Sequence, residues 1–260
     1  MIRRFVPSAA GVVAGIVGIL VCGSLELLWA QGRGGPTPPA TGRAGARIDI
    51  SGYWVALVTE DWRYRIFTPA KGDYTSVPLN PAGKQRADAW DAARDIAAGE
   101  QCKAYGAPGL MRMPTRLNIT WQDDQTLKLE TDAGSQTRVF HFGRPSEQEP
   151  SWQGTSIASW DTSQSPMPAR GGILATGGAL KVITTRLRPG YLRPNGVPYS
   201  AGAVLTEYYD RQDLPNGDSL LVVSSELVDP ENLTTPFWTS AHFKRQANAA
   251  GWNPTPCEAR

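Results

Sequence analysis

The stretch TLKLETDAGSQTRVFHF, residues 126–142, alternates apolar and polar side chains on both sides of a short Ala-Gly-Ser step. Leu127 and Leu129 fall on one face of the first half, with Lys128 and Glu130 on the other; in the second half Val139 and His141 share a face. Period two is the signature of a strand, and a short polar step between two such runs joins them antiparallel. The pattern extends in both directions. RLNITW begins at residue 116, and TSIASW, ALKVITTRL, AVLTEYYDR, SLLVVSSELV and FWTSAHFKR follow, beginning at residues 155, 179, 203, 219 and 237. Turns such as QDDQ and QDLPNGD separate several of them. Eight strands in a meander are expected here.

Upstream, SGYWVALVTEDWRYRIF, residues 51–67, supplies a first strand. Trp62, Tyr64 and Phe67 are expected to continue its alternation, with Arg63 and Arg65 on the opposite face. Between this strand and the others lies PAGKQRADAWDAARDIAAG, residues 81–99, with Ala87, Trp90, Ala93 and Ala97 at helical spacing and Gly99 as a stop. One inserted helix is expected. Eight to ten strands with few helices lose their edges most simply by closing, so the predicted fold is mainly β: an antiparallel up-and-down barrel of about 8–10 strands with one inserted α-helix. The alternative is a β-sandwich.

The first thirty residues differ from the rest. Arg3 and Arg4 precede an apolar run ending near Ala30, which reads as a signal peptide cleaved before Gln31 or as a membrane anchor over residues 9–30. Lipidation at Cys22 and twin-arginine export are lesser variants. Residues 31–47 are rich in Gly, Pro and Ala and are expected to be a flexible linker, leaving residues 48–260 as a single barrel domain. The expected location is periplasmic or secreted. In such an oxidising compartment Cys102 and Cys257 are expected to form a disulfide, the loop-entropy contribution of so long a closure being about 5 kcal/mol.

Gly52-Tyr53-Trp54, at the start of the first strand, resembles the Gly-x-Trp signature of lipocalins. That resemblance implies that Trp54 closes the barrel floor and that Arg245, after the last strand, packs across it. A broader similarity over residues 51–257, carried by EQCKAYGAP, PTRLNITW, ETDAGSQTR, PGYLRPNGVPYS and TEYYDR with VDPENLTTPF, resembles an uncharacterised family of exported bacterial proteins. It implies export and no particular chemistry.

Twenty-six basic against 24 acidic residues give a net charge of +2 without a concentrated basic face, which argues against nucleic acid as a partner. No CxxC, HExxH, GxSxG or Walker spacing is present, so no metal and no cofactor is expected. The Gly-rich ARGGILATGGAL, residues 169–180, reads as a loop over the barrel mouth. Acid–base chemistry would have to use His141 or His242. The catalytic candidates are His141 with Glu130 or Glu207, and the ligand-binding candidates are Trp62, Tyr64, Arg138, Arg186, Tyr209 and His242. Three functions follow: an exported barrel that binds a small apolar or amphipathic ligand in its cavity; a barrel enzyme of isomerase, cyclase or hydrolase type; and an envelope assembly protein using RPGYLRPNGVPYS, residues 188–200.

Overall fold

The computed structural model describes residues 41–161 and 178–259. The expected signal or anchor, Cys22, residues 31–40 of the expected linker and most of the Gly-rich loop lie outside the described residues. Nine strands close into one barrel: β1 (Gly52–Leu57), β2 (Arg116–Asp123), β3 (Thr126–Thr131), β4 (Thr137–His141), β5 (Thr155–Asp161), β6 (Ala179–Thr185), β9 (Val204–Asp213), β10 (Ser219–Val228) and β11 (Phe237–Gln246). β7 (Gly190–Arg193) and β8 (Val197–Tyr199) form a separate hairpin between β6 and β9. Each of the eight alternating runs after residue 116 is a barrel strand.

Chain neighbours pair antiparallel around the barrel, except β4 and β5, which run parallel through Phe140↔Ser156 and His141↔Ile157. Parity requires the exception, because strands that alternate in direction can close a ring of even number only, and this ring has nine. The connection of residues 142–154 returns the chain to the end where β4 began, as a parallel pairing needs.

The contact expected between Trp54 and Arg245 is present. Trp54 is wholly buried and donates its indole N–H to the Ile50 carbonyl at 2.9 Å. Arg245, its cross-strand partner, places its guanidinium 5.6 Å from the Trp54 ring centroid. Gly52 has φ +113°, and a Cβ there would meet Arg245 Nη2 at 3.4 Å, so a residue without a side chain suits both the backbone and the arginine.

Inside the barrel, Leu117, Ile119, Leu127, Leu129, Phe140, Leu180, Val182, Leu221, Val223 and Phe243 are each 0% exposed. A water-sized space beside any of them would show as exposed area. The interior bounded by the described residues is therefore a filled core. The expected ligand cavity within the barrel is corrected on this point: the inward large side chains occupy the volume that a wider barrel would leave open.

The connection between β1 and β2 is built of short pieces. After Leu57 the strand ends: Asp61 takes a left-handed conformation (φ 49°) and α1 (Trp62–Arg65) follows, so Trp62, Tyr64 and Phe67 do not continue a strand as expected. The single expected helix is two, α2 (Pro81–Asp88) and α3 (Ala92–Ala97), because Asn80 and Asp91 each cap a new N-terminus. A 3₁₀ turn, Gln101–Tyr105, and α4 (Ala107–Leu110) complete it. This connection, the β7–β8 hairpin and residues 229–236 leave and re-enter the barrel at the same end and cap it with a second apolar cluster that includes Tyr74, Ala87, Leu192, Val197, Tyr199 and Leu233. RPGYLRPNGVPYS is thus largely buried, not a free loop.

The C-terminal segment runs back to the cap. Trp252 meets Tyr53 edge-on at 6.0 Å, Thr255 N–H donates to the Asp132 carbonyl at 2.9 Å, and Cys257 forms a disulfide with Cys102. At the chain's other side, Gly42–Gly45 forms a 3₁₀ turn against the β2–β3 turn; Arg43 N–H donates to the Asp124 carbonyl and the Gly42 carbonyl accepts from Trp160 Nε1. These contacts use backbone groups of residues that composition places in a tether.

Candidate functional site

A cavity of about 260 Å³ opens at the capped end of the barrel. Tyr64 and Arg65 of α1 with residues 66–68 after it, Tyr105, Gly109 and residues 112–114 before β2, Ala133 after β3, residues 192–194 of the hairpin and Thr255, Pro256 and Glu258 of the tail contribute to its wall. The tail reaches this place because the Cys102–Cys257 bond ties it to the 3₁₀ turn that carries Tyr105. Gly134, with φ +74°, lets the turn after β3 close over the Tyr105 ring, into which a Cβ would project.

Three arginines line this space, and all three are buried: Arg65, Arg112 and Arg193. Arg65 is held by Glu60 through Nη1 and donates Nε–H to the Arg112 carbonyl at 2.8 Å. Arg112 donates through Nη2 to Asp61 at 2.7 Å. Arg193 stacks over the Tyr64 ring at 4.5 Å and donates to the Thr75 carbonyl at 2.8 Å and to Ser76 Oγ at 3.2 Å, both neutral acceptors. Two guanidinium nitrogens, Arg65 Nη2 and Arg193 Nε, are buried without a hydrogen-bond partner among the described residues. Burial pulls the pKa of both Arg65 and Arg193 below the ordinary value of an arginine, and the neighbouring Arg112 charge adds to it in each case. Glu60 and Asp61 offset two of these three like charges.

Apolar groups form much of the remaining wall, Ile66, Phe67, Met113, Pro114, Leu192 and Pro194 among them, with Thr68, Thr255 and Glu258 as polar members. Ile66 and Phe67 are 48% and 64% exposed, and Trp62, one turn away, is 57% exposed. Such exposed apolar side chains, concentrated within six positions, form an apolar rim at this end of the barrel.

The candidates named from sequence lie in four other places as well as here. Tyr64 lines the cavity, and Trp62 is on the surface near it. Arg138, Glu207 and Tyr209 meet inside the barrel: Arg138 donates to Glu207 at 3.0 and 2.5 Å, to Tyr209 Oη at 3.2 Å and to Thr184 Oγ1 at 3.2 Å. Burial would pull the Arg138 pKa down, but the Glu207 charge and Tyr209 outweigh it and hold the guanidinium charged. Burial pushes the Tyr209 hydroxyl well above its ordinary value. Substrate has no space to reach this network through the filled core.

His141 and Glu130 do not converge. Both sit on the outer face of the β3–β4 hairpin, but His141 pairs with Thr126 and Glu130 with Thr137, four positions apart, or about 13 Å along the strand. Glu130 instead meets Lys128 at 3.0 Å and Asn118 at 3.1 Å. Arg186 is exposed, donating to the Gln148 carbonyl and pairing with Glu147. His242 faces outward from β11 with Nδ1 2.9 Å from Glu60 Oε2. Thr59 Oγ1 approaches the same nitrogen at 3.4 Å, so hydroxyl and carboxylate compete for one ring atom, where a catalytic triad needs them on opposite nitrogens. The Glu60 pKa lies below its ordinary value of 4.5: burial opposes this, and hydrogen bonds from Thr59 and His242 with the Arg65 charge prevail. Glu60 therefore acts as an anchor for Arg65.

Sequence reasoning missed Arg65, Arg112 and Arg193 as a group. Their signals, the arginines of WRYRIF, LMRMP and YLRPNG, are 47 and 81 positions apart and carry no common spacing. No protein-family model, curated protein or solved structure matches the chain. Among the described residues no helix is long and apolar enough to cross a membrane, and no group of His, Cys, Asp and Glu could hold a metal ion.

Proposed function

We propose that this protein is an exported β-barrel that binds a small amphipathic molecule, and that it does so in the cavity at the capped end, outside the barrel. The observation that carries this is the cavity wall, which joins apolar side chains to three buried arginines in a space of about 260 Å³. Export is supported by the Cys102–Cys257 disulfide and the apolar N-terminal sequence. A closed and filled barrel serves such a site as a rigid platform, since its strand ends fix the three connecting segments that form the wall. The resemblance to lipocalins then extends to architecture and floor, with the ligand position moved. The acid–base reading has less support, because His141 stands away from both Glu130 and Glu207.

The test uses N-phenyl-1-naphthylamine, a neutral apolar fluorophore. Saturable one-to-one binding is expected, and it is expected to disappear in Met113→Trp, which fills the cavity from a lining position. Undiminished binding by a folded Met113→Trp protein would place the ligand elsewhere and overturn the proposal.

A further inference from the structure

We infer that the capped end of the barrel docks on a phospholipid bilayer, with Trp62, Ile66 and Phe67 entering the headgroup region. The inference goes beyond ligand binding. It needs the exposed rim and not the cavity, so either can fail alone.

The first observation is where apolar surface is left in water. Nine large apolar side chains are exposed among the described residues, and six of them lie at this one end: Trp62, Ile66, Phe67 and Ile96 in the β1–β2 connection, Val228 at the end of β10 and Trp238 at the start of β11. The other three are the cross-strand pair Ile157 and Ile183 on the barrel wall and Leu214 in the β9–β10 turn at the opposite end. Apolar surface gathered at one end in this way marks a membrane or partner face.

The second is the make-up of the rim. Trp62 and Ile66 stand one helical turn apart, Phe67 follows, and Arg63 lies between them with its side chain 69% exposed. Tryptophan with a basic neighbour suits the boundary between headgroups and acyl chains, where the ring enters and the guanidinium stays among the phosphates. The carboxylates nearest the rim in sequence do not oppose this, since Glu60 is held by Arg65, Asp61 by Arg112 and Asp73 by Arg63.

Two further facts choose between occupants. At about 150–250 Å² for each aromatic side chain, the exposed parts of Trp62, Ile66 and Phe67 come to roughly 300–400 Å². A stable contact with a second copy or another protein needs about 800 Å² on each side, whereas a few side chains entering a fluid phase need no matching surface. The chain also carries its own reason to be at a bilayer. Residues 9–30 are apolar apart from Ser24 and Glu26, long enough at about 1.5 Å per residue to span a hydrocarbon core, and only residues 31–40 separate them from the described domain.

The experiment uses the full chain on phosphatidylcholine vesicles, in ordinary lipid and in lipid brominated on its acyl chains, which quenches tryptophan by contact. Trp29 and the other tryptophans contribute equally to wild type and Trp62→Phe, so the difference between the two isolates Trp62. That component is expected to be at least about twofold weaker in brominated lipid and to be shielded from aqueous iodide. Ile66→Ser with Phe67→Ser is expected to remove both effects, and Ile183→Ser, on the exposed wall, to leave them. A Trp62 component open to iodide and untouched by brominated lipid would overturn the inference. Shielding from iodide without quenching by bromine, increasing with protein density, would put a second copy on the rim and overturn it as well. N-phenyl-1-naphthylamine binding is read separately, without vesicles, so failure of the cavity proposal and failure of docking are told apart.

Discussion

Replacing Glu207 with Gln removes one charge from a pair that lies inside a filled barrel. Arg138 and Glu207 are each 1% exposed, and two of the four hydrogen bonds from the Arg138 Nη atoms go to the carboxylate. Gln keeps one acceptor oxygen but turns an amide N–H₂ toward a guanidinium N–H, so one bond is lost, two donors face each other and the arginine charge stands unpaired. Breaking a buried pair in this way costs about 3–5 kcal/mol. Against a total stability of about 5–15 kcal/mol that is a large part. With a urea slope of about 2 kcal/mol per molar, the midpoint should fall by roughly 2 M without a change in slope. The double variant Arg138→Met with Glu207→Leu, which removes both charges, is expected to recover to within about 1 kcal/mol of wild type, because an apolar replacement avoids desolvating either group. Equilibrium urea unfolding followed by tryptophan fluorescence reads both. A loss under about 1 kcal/mol for Glu207→Gln would mean that water or a mobile ion reaches the interior, and the filled barrel would be refuted with it.

Trp54→Ala is expected to lose about 3–5 kcal/mol as a buried large aromatic, and Arg245→Met about 0.5–2 kcal/mol through the cation–π contact, both read by thermal unfolding; near-neutral Trp54→Ala would deny its place in the floor. Reduction of Cys102–Cys257 is expected to free the segment that brings Thr255, Pro256 and Glu258 to the cavity, so N-phenyl-1-naphthylamine affinity should fall while barrel amides keep their exchange protection; unchanged affinity would show that the tail is dispensable. Burial holds Tyr209 and Tyr199 above their ordinary 10.0, and burial with a hydrogen bond to Asp95 pushes Tyr191 up to about 12. Raised folded-state values mean stability that is complete below pH 10 and lost as pH rises above it, so the urea midpoint should decline from about pH 10 upward. An unchanged midpoint through pH 11 would contradict the burial of these hydroxyls.

The barrel was legible because strand alternation is a local property: TLKLETD and QTRVFHF carry their inward leucines and phenylalanine at period two, and burial follows it in Leu127, Leu129 and Phe140. The Gly52–Trp54 floor was legible for a similar reason, a short signature with one distant arginine. What alternation does not encode is how wide the ring is and whether its inside is full, since both depend on strand tilt and on side chains from all nine strands meeting at the axis. Register explains the failure at His141 and Glu130, which share a face and a hairpin yet pair at opposite ends of it. The three arginines illustrate the other limit. Each comes from a connection, where no periodicity operates, and only the closure of the barrel end brings them to one wall.

The most direct measurement is a set of two-dimensional amide spectra of the isotope-labelled protein, titrated with N-phenyl-1-naphthylamine. The account predicts that shifted resonances gather at residues 64–68, 105–114, 192–194 and 255–258, with the central residues of β3, β9 and β10 unmoved. Shifts concentrated instead at Leu129, Tyr209 and Val223, deep in the barrel, would put the ligand inside it and contradict both the filled core and the site at its end.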